Sequence, residues 1–276
     1  MTVPLFAEVR EDEASPAVAA IYADIKRVTG IPSVNLIWRH LATAPEVLTW
    51  AWDIARPIYA SDRLDAAIAR LDVDISGHEG APIWSGLPQA GDIRAVLDFY
   101  NRGNPANLIA LTAFIRAASR DLPQHCGAAR PPLATGSHAL AEVPPLPRRA
   151  EIAPEARALI AELANRQSGA GYGVTPSLYL HLGHWPAAVA AAHRRASGML
   201  DDPTWPERLK RLLASVAFVA ETLATDCECG VKVPAADVRT PFVAAIERFV
   251  GATIPEMVLI GRALAGPIAP TKASPV

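Results

Sequence analysis

The chain has 276 residues, of which 51% are hydrophobic, 20% charged and 6% aromatic, enough apolar material for one large core or two ordinary ones. Its 26 Lys and Arg against 28 Asp and Glu leave a net charge of −2, which gives no electrostatic case for nucleic acid or an acidic membrane as partner. No apolar stretch reaches the ~20 residues that span a bilayer.

The opening MTVPLFAEVREDEASP is acidic and broken by proline, unlike a signal or transit peptide. Three cysteines, Cys126, Cys227 and Cys229, form an odd set in a long chain and argue for a reducing compartment. A cytoplasmic protein is expected.

Helical spacing dominates from the start. Val18, Ile21, Ile25 and Val28 recur at three- and four-residue intervals over 15–29, with Ser15 as cap and Pro16 at the first helical position. Residues 33–42 repeat the pattern, and Pro45 opens a further helix to 59. The next expected helices are 62–75, 91–101 and 106–119. In the second half they are 153–166, 176–183, 186–199, 205–224, 240–251 and 255–265. No alternating β-branched strand pattern occurs, so the fold class is all-α.

Two segments interrupt this pattern. NRGNPANL (101–108) separates two apolar runs, and two readings stand: a plain inter-helix stop, or a turn presenting the Asn104 amide to a pocket. Residues 122–149 carry six prolines, at 123, 131, 132, 144, 145 and 147, and cannot continue a helix. They sit where a linker would join two halves.

The halves are alike. IPSVNLIWRHLATAP (31–45) matches TPSLYLHLGHWP (175–186), and VLDFYNRGNPANLIAL (96–111) matches AIERFVGATIPEMVLI (245–260). These blocks predict two tandem helical repeats, 1–121 and 150–276, joined by the linker 122–149 and packed as a pseudo-dimer, with a ligand site between them.

A family resemblance rests on the same blocks. IYADIKRVTGIPSVNLIWRHLATAP and FYNRGNPANLIALTAF, and more weakly GYGVTPSLYLHLGHWP, resemble the group I 2-haloacid dehalogenases (the DehI type). The HLATAP ending is also similar to the AhpD-like alkylhydroperoxidases, a more distant likeness. The dehalogenase resemblance implies an all-α pair of repeats. It also implies a hydrolase in which an aspartate and an asparagine activate water, which displaces halide from C2 with inversion and without a covalent ester.

Asn104 matches the family's asparagine. Counting back from Trp185-Pro186, Leu178 stands at the aspartate position with Ser177 beside it, and no carboxylate occurs between Gly169 and Asp201. A leucine can neither take a proton nor carry developing charge. Ser33, Asn107 and Ile246 stand where larger aromatic substrate contacts are implied; with Leu36 and Tyr179 they complete the candidate binding set. Arg39 or Arg102 is a candidate to hold a carboxylate.

Two histidines are further candidate bases. His181 and His184 share a helix face three residues apart, and imidazole titrates near neutrality, but their spacing and lack of an acidic third ligand make a poor zinc pair. A structural role at a helix end explains them too. Cys227-Glu228-Cys229 lacks the two-residue spacing and following histidine of a redox pair. No cofactor and no metal is expected. Two functions stand: a dehalogenase-like hydrolase of short 2-haloacids, or a diverged relative binding a small apolar or carboxylate ligand between the repeats. A small-molecule partner is expected in both, with a homodimer allowed.

Overall fold

A computed structural model describes residues 6–119, 140–226 and 231–266, and among these the chain is all helix and turn, with no strand. The expected linker 122–149 lies outside the described residues up to 139, as do Cys126, Cys227 and Cys229. No helix among the described residues is long and apolar enough to cross a membrane.

Helix α1 (Pro16–Thr29) starts where Ser15 Oγ accepts the Val18 amide at 3.4 Å, with Pro16 at a position whose N–H would have had no helical partner. It ends at Gly30, whose φ of 68° turns its own amide back to the Lys26 carbonyl. α2 (Leu36–Leu41), α3 (Pro45–Tyr59) and α4 (Arg63–Ile68) follow. After 140 come α6 (Pro154–Arg166), α7 (Ser177–Leu182), α8 (Pro186–Leu200) and α9 (Trp205–Leu223). Ala44 and Trp185 precede Pro45 and Pro186, and both hold extended backbone, with φ, ψ of −129°, 93° and −130°, 93°. A proline ring excludes the helical conformation from the residue before it, so each site breaks the chain and begins a fresh helix.

Two expected boundaries are corrected. α4 stops at Ile68, not 75, because the following residues are tied to α9. Asp72 N donates to Ser215 Oγ at 3.0 Å, and Asp74 accepts from Ser76 N at 2.9 Å while pairing with Arg208 and Arg211. The second correction concerns 101–105: α5 (Ala90–Ser119) runs through it as one 30-residue helix. Pro105 removes one helical hydrogen bond, a local penalty of about 3 kcal/mol. Leu97, Phe99, Leu108, Ile109, Leu111 and Phe114 are nevertheless buried. Burying each contributes about 2 kcal/mol, so packing outweighs the break.

α5 lies along α11 (Ile254–Ala265), with α9 and α3 on its flanks. α11 also begins on a proline, Pro255, and is reached from α10 (Ala236–Arg248) through one π-helical turn, Phe249–Thr253, not through a loop. The two central helices touch closely at Gly261, whose carbonyl accepts from Asn101 Nδ2 at 3.0 Å. A β-carbon on Gly261 would sit 2.6 Å from Asn101 Oδ1.

Candidate functional site

The wound-through helix α5 fixes a polar stripe. Tyr100, Asn104 and Asn107 recur at four and three residues, so they fall on one face of an otherwise apolar helix. That face, together with the start of α2, the start of α7 and the π turn entering α11, encloses a cavity. The cavity volume is about 40 Å³, within a hollow of about 420 Å³ that is partly open to solvent. At ~10–15 Å³ per water this admits roughly three waters, or a ligand of a few heavy atoms.

Asn104, Asn107, Ser177, Leu178 and Leu36 all line this cavity. Leu178 is 1% exposed and contributes only hydrocarbon to the wall. Asn107 Oδ1 accepts from Trp38 Nε1 at 3.2 Å and from Tyr59 Oη at 2.7 Å, which fixes its amide orientation and leaves Nδ2 as donor. Asn35, at the start of α2, is 5% exposed, and its Oδ1 has no hydrogen-bond partner. It lies so close to α5 that a β-carbon on Gly103 would sit 3.2 Å from that oxygen. Thr253, Phe249 and Met257 close the side formed by the π turn and α11.

The remaining predicted residues stand elsewhere. His181 is fully buried behind Tyr100: its Nδ1 lies 3.1 Å from Tyr100 Oη, and its Nε2 lies 2.5 Å from the Pro144 carbonyl. Burial depresses its pKa to about 4, against which the Pro144 carbonyl works only partly. His184 is exposed and donates to the Pro145 carbonyl at 2.9 Å. Both histidines therefore fasten the chain segment 144–145 over this end of the molecule. Ser33 donates to Glu11 Oε1 at 2.8 Å in a separate cleft with Arg10 and Arg148. Ile246 is fully buried in α10, and Tyr179, also buried, has an unpartnered hydroxyl; neither lines the cavity. Arg39, 3% exposed, is held by Glu8 at 2.5 Å, by the Val34 carbonyl and by Ser177 Oγ at 3.1 Å. Arg102 reaches the Thr29 carbonyl at 3.4 Å.

Tyr100, Asn35 and Thr253 were not among the predicted site residues. The spacing Tyr100, Asn104, Asn107 was the available signal, and a helix broken at 101–105 hides it. Glu256 is the buried carboxyl nearest in sequence to this wall. It is 3% exposed, burial raises its pKa, and Ser168 opposes the rise by donating from N at 3.2 Å and from Oγ at 2.6 Å. It does not line the cavity. Among the described residues no cluster of His, Cys, Asp and Glu is placed to hold a metal ion.

No protein-family model and no curated protein matches the sequence. Solved structures do match. A D-2-haloacid dehalogenase in complex with L-LA superposes with a TM-score of 0.74 at 19% identity, covering 96% of this chain and 98% of the other. A D-2-haloacid dehalogenase mutant with D-2-CPA gives 0.71 at 18%, covering 96% and 97%. A further dehalogenase mutant of this kind gives 0.72 at 19%, covering 95% and 96%. Over nearly its whole length the chain therefore has the fold of these D-2-haloacid dehalogenase structures.

Proposed function

We propose that this chain is a diverged, dehalogenase-like protein whose cavity binds a small molecule but does not hydrolyse 2-haloacids by aspartate-activated water. The observation that carries this reading is the wall itself: Leu178 stands in it, Asn104 lines it, and no carboxylate does. An amide can orient a water but cannot remove its proton. Tyr100 is no substitute base, because burial raises its pKa. His181 is no substitute either, since both its ring nitrogens are already engaged.

The same reading treats the chain as a tandem duplication, 1–121 and 150–276 joined through 122–149. In support, α2 and α7 each have six residues, and α3 and α8 each have 15, begin on proline and share one pre-proline backbone geometry. The cavity draws α2 and α5 from one half and α7 and α11 from the other.

The test is cavity occupancy. Small carboxylates, 2-haloacids and their amides should bind weakly by calorimetry, and Leu178→Trp or Leu36→Trp, which fill the cavity, should abolish that binding. Binding unaffected by either filled variant would refute the site.

A further inference from the structure

Two groups of the cavity wall, Tyr100 and Asn107, have a fixed hydrogen-bond polarity. A carbonyl only accepts, so the 2.5 Å contact between Pro144 O and His181 Nε2 places the ring hydrogen on Nε2. Nδ1 then carries a lone pair, and the 3.1 Å contact with Tyr100 uses the tyrosine's single hydrogen. With its hydrogen committed to His181, the oxygen of the lining residue Tyr100 can only accept. The hydrogens thus run one way, from Tyr100 through His181 to the Pro144 carbonyl. Ser177 Oγ takes an N–H from Arg39 Nη2 at 3.1 Å. Asn107 Nδ2 is left to donate, the Asn104 amide lines the same wall, and Asn35 Oδ1 is a buried acceptor with no partner.

Charge complements this pattern. No cavity-lining residue is charged at neutral pH. Arg39, one side chain back from the wall, is already paired with Glu8. Glu256, adjacent in sequence to the lining residue Met257, is itself acidic. An anion entering here would shed its hydration without meeting a free counter-charge. A neutral molecule incurs no such penalty.

We propose that the ligand of this cavity is a small uncharged molecule carrying a hydroxyl or amide N–H that donates to Tyr100 Oη, with a carbonyl that accepts from the Asn107 amide. A 2-hydroxyamide of three carbons has both groups and fits the space. This inference rests on the reading of the cavity as a small-molecule site.

Calorimetry on the intact protein at pH 7 with lactamide, propionamide, lactate and 2-chloropropionate tests it. Lactamide should bind about tenfold tighter than propionamide, which lacks the donating hydroxyl, and tighter again than either carboxylate. Tyr100→Phe should bring lactamide down to the propionamide affinity. Because that variant also strips His181 of its donor, its melting curve is recorded alongside, and the four-ligand series on the unmodified protein decides if the variant fails to fold. Lactate or 2-chloropropionate binding as tightly as lactamide, and lost on filling the cavity with Leu178→Trp or Leu36→Trp, would overturn the uncharged-ligand inference but leave the small-molecule site standing. No binding by any of the four, or binding untouched by both filled variants, would overturn both.

Discussion

Leu178→Asp is the most informative single change, because its cost can be worked from the structure. The side chain is 1% exposed and shares the wall with Ile37, Phe249 and Met257. Losing its buried hydrocarbon removes about 2 kcal/mol. Burial also raises the new carboxyl's pKa, by roughly 3 units for a group this enclosed, and each unit is worth about 1.4 kcal/mol. A carboxyl whose folded pKa lies above its unfolded value is at ease while protonated, and destabilises the fold as pH rises from the unfolded value towards the folded one. The variant should therefore be about 2–3 kcal/mol less stable than the parent at pH 4.5, and about 6 kcal/mol less stable at pH 8. Urea unfolding followed by circular dichroism at the two pH values, for both proteins, gives the difference directly. Any chloride release from 2-chloropropionate by the variant should rise through the same pH window, since only the ionised carboxyl can take a proton from water. An equal stability loss at both pH values would mean a solvated carboxyl, and the description of an apolar wall at 178 would be wrong.

The His181 ring should stay neutral well below its ordinary range. Its folded pKa of about 4 lies below the reference 6.5, so its contribution is intact above 6.5 and is lost as pH falls towards 4, a change of about 3 kcal/mol. An NMR titration midpoint for this ring at 6 or higher would contradict the buried Tyr100–His181–Pro144 arrangement. Gly261→Ala should destabilise by about 2 kcal/mol in a denaturant melt, because the crowding against Asn101 exceeds the gain in helix propensity; a stabilised variant would show that α5 and α11 are not in close contact there. Replacing Cys227 and Cys229 with serine should leave cavity binding unchanged, and loss of a peroxide-consuming activity in that double variant would count against the absence of a redox role.

Helices with clean amphipathic spacing and capped ends were legible in the sequence. α1 carries its own start at Ser15-Pro16 and its own stop at Gly30, and both are used. What could not be read locally was the outcome of competition. Asn101, Gly103, Asn104 and Pro105 are all helix stoppers by local preference, yet α5 continues because its flanking turns are buried against α11, α9 and α3. Val73 and Ile75 extend an apolar rhythm beyond α4, but Asp72 and Asp74 are captured by α9, a contact invisible to spacing.

The site divides along the same line. Residues carried over by local motif, Asn104, Ser177 and Leu178, meet in one cavity although 73 to 74 positions separate them in the chain. Tyr100 and Asn35 were missed because their place depends on the unbroken phase of α5 and on the glycine that lets Asn35 approach it. Ser33 was drawn instead to Glu11, and Ile246 into the core of α10. No periodicity argument distinguishes a buried wall residue from one that faces an internal cavity.

Halide release by the unmodified protein tests the central claim most directly. With both enantiomers of 2-chloropropionate, followed by chloride-selective electrode from pH 6 to 10, release should not exceed the protein-free rate at any pH, because the wall holds no carboxylate and burial keeps its titratable group, Tyr100, protonated. Enantioselective chloride release at a steady, protein-dependent rate would contradict it, and would require a base that reaches the cavity from outside its present wall.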